Sequence, residues 1–240
     1  MHGYTRPSFY LFAPLFVMMG LSACFNEPEY GEVPVITAIE DYYFLDRTDS
    51  ADILTIRVAF TDGDGDLGLA ARDSDKFGPY KLPLPRENGE LIKYDPNRDD
   101  LPPFSCSRYA FPAGLNPLVI DGDSIVDTVR ADRNPLFKNF EVFVFKRQPG
   151  GEYLEFNFLD SLCRDPFGGR FPLFKEPGNI NDGTPRVGSI SHFIESFGFK
   201  GLFRNDSLKL GVLIRDRAGN ESNLEMTEAF TLNDITRLPE

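Results

Sequence analysis

The chain has no tryptophan, and only two of its 240 residues are histidine. Losing the indole removes the usual sugar-stacking platform, although nine tyrosines remain. His2 sits in a leader expected to be removed, so a processed chain keeps His192 alone. That excludes zinc or iron centres built from several histidines. A Ser-His-Asp triad would have to use His192, yet Ser189-Ile190-Ser191-His192-Phe193 reads as a strand carrying a structural histidine. No phosphate loop, dinucleotide fingerprint or HExxH motif occurs. Positive charge is also short: 25 basic against 37 acidic residues, net −12. Nucleic acid is therefore excluded as a partner, because its affinity comes largely from neutralised phosphates. A carboxylate-dependent glycan hydrolase stays open, since two acids can pair anywhere in so acidic a chain.

Long apolar runs are missing too. The longest, Phe9–Leu21 (FYLFAPLFVMMGL), falls short of the roughly 20 residues that span a bilayer. It has the length of a signal-peptide core, preceded by a polar leader whose one charge is Arg6. Leu21-Ser22-Ala23-Cys24 follows at once and resembles the bacterial lipobox. That resemblance implies cleavage before Cys24 and acylation of its sulfur. Residues 1–23 are then a signal peptide and 24–34 a short acidic, proline-bearing tether. Losing Arg6 takes the net charge from −12 to −13. Acidic residues just after the cysteine resemble the export signal of surface lipoproteins in Bacteroidetes-type bacteria. The expected location is the cell envelope, lipid-anchored to the outer membrane on its periplasmic or surface side.

Cysteine is scarce as well, and the count is odd: Cys24, Cys106 and Cys163. With Cys24 given to lipid, Cys106 and Cys163 remain as an even pair in an oxidising compartment, where a disulfide is expected.

What is present is strand signal. Leu54, Ile56, Val58 and Phe60 alternate with Thr55, Arg57 and Ala59, and Leu208, Leu210, Val212 and Ile214 repeat the pattern. Leu154, Phe156 and Phe158 alternate with Glu155 and Asn157, while Phe140–Phe145 (FEVFVF) is apolar on both faces and predicts a central strand. Val35–Ile39 and Met226–Leu232 complete about seven strands without a helix. The expectation for 35–240 is an all-β, immunoglobulin-like antiparallel sandwich. Two long irregular insertions interrupt it, at about 76–135 and 162–188. The first holds nine of the nineteen prolines. Cys106 lies in the first and Cys163 opens the second, so their bridge would staple the two together. Such long loops are either binding surfaces or decoration.

Two motifs carry the remaining chemistry. Asp62-Gly63-Asp64-Gly65-Asp66-Leu67-Gly68 lets three carboxylates converge on a hard cation such as calcium, which takes six to eight oxygens. It departs from an EF-hand, with Leu67 at the glycine position and Asp73 where a glutamate belongs. Further on, Arg215-Asp216-Arg217-Ala218-Gly219-Asn220-Glu221 reads as a turn that Asp216 opens and Gly219 closes in the left-handed region. IRDRAGNESN before the last strand and FTDGDGDLG after an early one resemble the immunoglobulin-like lipoproteins of Bacteroidetes. The resemblance covers both ends of the domain, omits the insertions and implies a fold and location without an established activity. In an immunoglobulin sandwich both loops lie at one end, which would bring Asp62, Asp64 and Asp66 to Asp216 and to the side chain of Asn220. The competing reading makes both segments solvated turns favoured for backbone reasons.

A third pattern recurs at Ser50, Ser124, Thr128, Ser161 and Ser207, each after an aspartate and before an aliphatic residue or alanine. It resembles the Asp-Ser/Thr-aliphatic O-glycosylation acceptor of Bacteroidetes, and equally fits turn chemistry before a strand. The functional expectation is a non-enzymatic binding module, calcium-stabilised, meeting a protein or glycan partner through its insertions. The alternative is an accessory subunit of an outer-membrane complex.

Overall fold

The structure is a computed structural model that describes residues 29–47, 50–70, 76–159, 163, 167–173, 185–196 and 198–237. The leader, Cys24, Ser161 and most of 162–188 lie outside the described residues. In chain order the first strands are β1 (Val35–Leu45) and β2 (Asp52–Asp62). The first insertion holds β3 (Arg86–Glu87), β4 (Glu90–Leu91), β5 (Tyr109–Ala110), β6 (Leu118–Ile120), β7 (Asp123–Ile125) and β8 (Val129–Arg130). Then come β9 (Phe140–Arg147), β10 (Tyr153–Glu155), β11 (Gly168–Gly169), β12 (Arg186–Ser196), β13 (Leu208–Ile214), β14 (Glu225–Met226) and β15 (Thr236–Arg237).

Two sheets face each other. One runs β12-β2-β1-β15 and the other β10-β9-β13-β14, with β11 also on β9. The period-2 alternation decides which side chains meet between them. Leu54, Ile56, Val58 and Phe60 of β2 are buried against Phe140, Val142 and Val144 of β9 and Leu208, Leu210, Val212 and Ile214 of β13 in one core. Charged Arg57 of β2 faces out, and Lys209 of β13 is half-buried. The fold is thus all-β and sandwich-like, as the pattern predicts, and β9 is central. β12 pairs with β2 without a break from Arg186 opposite Asp62 to Ser196 opposite Asp52. His192 of β12 is half-buried with its ring 4.9 Å from that of Phe140, and burial holds its pKa below the ordinary value. It is a packing residue.

Three sequence expectations need correction. Lys76–Pro135 is not irregular: β3–β4, β5–β8 and β6–β7 form antiparallel pairs around a small core of Leu84, Ala110, Ile120, Ile125, Val129 and Ala131. Met226–Leu232 is a strand only at β14. Phe230 makes one further bridge to Leu208, and a Thr231/Asp234 capping box then starts a one-turn helix, Leu232–Ile235. Phe158 has left β10 and joins a chain of edge-to-face and tilted rings with Phe156, Phe167, Phe199 and Phe203. A second one-turn helix, Phe199–Phe203, supplies two of those rings. Among the described residues no helix is long and apolar enough to cross a membrane.

Cys106 and Cys163 are joined, with Cα atoms 5.3 Å apart and a sequence separation of 57. The bridge ties the first insertion to the segment that follows β10, as the cysteine count predicts.

Candidate metal centre

β2 ends on Asp62, whose side chain alternation aims inward, and the chain then turns through Gly63-Asp64-Gly65-Asp66. Glycine at 63 is a matter of space. Its N–H donates to the Gly31 carbonyl at 2.9 Å, and a Cβ there would overlap the Tyr30 and Gly31 carbonyls. Residues just before β1 are therefore seated on the aspartate loop. Gly63→Ala should cost about 1–3 kcal/mol, the usual penalty of overpacking. A urea midpoint equal to the parent's would show that the Tyr30–Gly31 segment does not bear on the loop in solution.

Asp62, Asp64 and Asp66 each present a carboxylate oxygen within 4.8 Å of the others. Part of this is turn chemistry. Leu67 N–H donates to Asp62 Oδ2 and Asp66 N–H to Asp64 Oδ1, both at 3.3 Å. Two oxygens remain that turn chemistry does not explain. Among the described residues Asp62 Oδ1 and Asp66 Oδ1 are buried with no hydrogen-bond partner, on side chains whose residues are 0 % and 5 % exposed. Leaving a buried acceptor of a charged group unsatisfied costs more than the roughly 1–3 kcal/mol of a neutral one. Burial, then repulsion from Asp64, pushes the Asp62 carboxyl up to about 7. Burial, then repulsion from Asp216, lifts Asp66 to about 6.

The β13–β14 turn closes over this loop, as the two motifs predict. Ala218 N–H donates to Asp66 Oδ2 at 3.1 Å. Gly219 takes φ +102°, the left-handed position expected of it. Asp216 is buried, and its charge bears on both Asp62 and Asp66. Its oxygens, however, already accept from Gly219 N–H, Asn220 N–H and Asn220 Nδ2, each at 2.7 Å. The close cluster is therefore the three loop aspartates. Asp216 shapes the turn and adds field, and the Asn220 amide spends itself on Asp216 rather than reaching the loop.

Sequence reasoning missed Arg215, which is 5 % exposed. Its guanidinium donates to the Pro135 and Lys138 carbonyls and pairs with Glu141 and Glu221 at 2.6 Å. It locks the end of the first insertion to β9 and to the last turn. The alternation gave no signal for it, because Arg215 falls on the face of Lys209 and Gly211, opposite to Leu208, Leu210, Val212 and Ile214. Beside it runs a cleft of ≈ 290 Å³ lined by Pro79, Arg133, Phe137, Lys138 and Glu141.

Of the glycosylation candidates, Ser50 and Ser124 are exposed and Thr128 is half-buried. The Ser207 hydroxyl is half-buried and hydrogen-bonded to the Tyr153 hydroxyl at 2.8 Å, which argues against a glycan there. Asp206-Ser207 leads directly into β13, as the turn reading has it.

Comparison with protein-family models, with curated proteins and with solved structures finds no match.

Proposed function

We propose that this chain is a non-enzymatic binding lipoprotein of the bacterial cell envelope, carried on a lipid at Cys24 and rigidified by calcium at one end of its sandwich. The observation that carries the metal is the pair of buried, partnerless oxygens, Asp62 Oδ1 and Asp66 Oδ1, beside the Asp64 carboxylate. Three carboxylates and the nearby charge of Asp216 suit a hard cation that accepts oxygen ligands at flexible geometry. Bound calcium neutralises their mutual repulsion and holds the β2 loop against the β13–β14 turn. The strand order supports an immunoglobulin-type reading: the second strand pairs with the one before β13, and β9 pairs with β13, which pairs with the last hairpin strand.

The anchor rests on the leader, the apolar run and Leu21-Ser22-Ala23-Cys24 in register. Two acyl chains hold a protein stably in a leaflet, at about 0.8 kcal/mol per buried methylene. The outer membrane is the proposed site, and a protein or glycan the proposed partner. Calorimetric titration of the metal-free chain should find one calcium site, lost in Asp62→Asn with Asp66→Asn, and weaker binding of magnesium, which demands stricter geometry. Absence of heat with the parent chain sinks the metal. An intact mass without diacylglycerol on Cys24, from envelopes of the source cell, sinks the anchor.

A further inference from the structure

The aspartate loop, the β13–β14 turn, the docked residues before β1 and the first insertion all sit at one end of the sandwich. β1 begins at Val35 opposite Thr61, and Gly31 is hydrogen-bonded to Gly63 just past β2. The insertion leaves from that end and returns to it. Lys76 Nζ donates to the Arg217 carbonyl at 2.7 Å, and Arg215 holds the Pro135 carbonyl. β9 then starts at Phe140 opposite Ile214. Seven peptide links separate Cys24 from Gly31, a reach of at most about 25 Å. A chain anchored at Cys24 must therefore turn this end, and the insertion mounted on it, toward the membrane.

The insertion has a surface that suits that position. From Leu101 to Ile120 there is no acidic residue and one basic one, Arg108, in a chain with 37 acids. It is the longest acid-free stretch downstream of Cys24. Tyr109 to Ile120 carries no charge at all. Within it Leu115 is fully exposed at 104 %, Val119 is 68 % exposed, and Phe111 is exposed beside Phe104. The Phe104 ring stacks on buried Tyr109 at 5.8 Å, and the Tyr109 hydroxyl is fixed to the Pro102 carbonyl at 2.7 Å. Cys106 of the disulfide lies between those two rings in sequence. Apolar side chains on a stretch with no acid of its own, with exposed Arg108 to meet anionic headgroups and with Asp121 and Asp123 of the β6–β7 turn marking its edge, match an interfacial contact.

We propose that this loop, led by Leu115 with Phe111 and Val119, inserts into the headgroup region of the bilayer that carries the lipid, as a second membrane contact. The proposal rests on the Cys24 anchor for its orientation. The acyl chains keep the domain at the surface, so the loop needs only weak affinity of its own.

The absence of tryptophan makes the test clean. Leu115→Trp and, at the opposite end of the sandwich, Asn233→Trp each give a single reporter in the full mature chain. The chains are placed on vesicles of phosphatidylethanolamine and phosphatidylglycerol containing brominated lipid, and acylation is read separately from the intact mass. A blue shift and severalfold stronger quenching at position 115 than at 233 is the expected result. Quenching at neither or at both positions in the acylated chain overturns it. So does a blue shift at 115 that needs added membrane protein, which assigns the loop to a protein partner. If the mass shows no acyl chain, the anchor reading fails on its own. The chain mixed with the same vesicles then decides for the loop by the same contrast, quenching at 115 alone supporting it and none overturning it. Val119→Trp repeats the measurement should Leu115→Trp fold poorly.

Discussion

Stripped of calcium by a chelator at about pH 8, the chain should melt roughly 5–10 °C below the calcium-saturated protein. A ligand at a hundredfold its Kd adds about 2.7 kcal/mol, and a domain of about 150–250 residues gains about 2–4 °C per kcal/mol. The metal-free protein should also become less stable as pH rises. In the unfolded chain both aspartates ionise near 3.9, whereas the folded Asp62 and Asp66 hold protons up to about 7 and about 6. Between those limits the folded state binds more protons than the unfolded one, so unfolding free energy falls with rising pH. The contribution is fully present below about pH 4 and lost through about pH 7. Calcium should flatten that slope, and its effect should shrink toward pH 5 as protons compete for the same oxygens. Asp62→Asn separates the two states by sign. It removes a buried repelling charge and should raise the melting temperature of the metal-free chain, while abolishing the calcium increment. Thermal melts by circular dichroism in chelator and in excess calcium check all of this. Equal melting temperatures for the parent in the two buffers at about pH 8 would leave the aspartate loop a turn.

Much of this arrangement is legible in the sequence where a single face is buried over a long strand. Leu54, Ile56, Val58 and Phe60 alternate because β2 is central and its inner face meets β9 and β13. The meeting of the Asp62 loop with the Asp216 turn was legible for the same reason, since strands of known order bring their ends together. β1 is legible only as far as Ile39, because its register shifts at Ile36/Ala38 and Ile39/Asp41 break the period-2 pattern. The insertion hid its order differently. Its paired strands are two or three residues long, too short for any period, and its core is gathered from Leu84 to Ala131. Asp216 illustrates a finer limit. The sequence places its carboxylate at the right end of the fold, while the three donors of its own turn decide where its oxygens point.

Replacing both bridged cysteines, Cys106→Ala with Cys163→Ala, should cost about 4 kcal/mol of unfolding free energy, the chain-entropy value for a bridge 57 residues apart in sequence. The loss should not be spread evenly. The sandwich core draws on both sheets, whereas the insertion's own buried core consists of Leu84, Ala110, Ile120, Ile125, Val129 and Ala131. A core that small stabilises little by itself. Among the described residues its other ties to the sandwich include the Arg215 clamp, the Lys76–Arg217 hydrogen bond and the Arg170 guanidinium on the Phe77 carbonyl. Amide protection in β5, β6, β7 and β8 should therefore fall further than in β2 or β13, because local opening tracks the weakest-held unit. Urea unfolding gives the total and hydrogen exchange its distribution. A double variant within about 1 kcal/mol of the parent, with β5–β8 protection intact, would mean the insertion stands without its staple. The opposite result ties structure to use: the bridge at Cys106 then holds in place the aromatic base of the Phe111–Val119 loop, where Phe104 stacks on Tyr109.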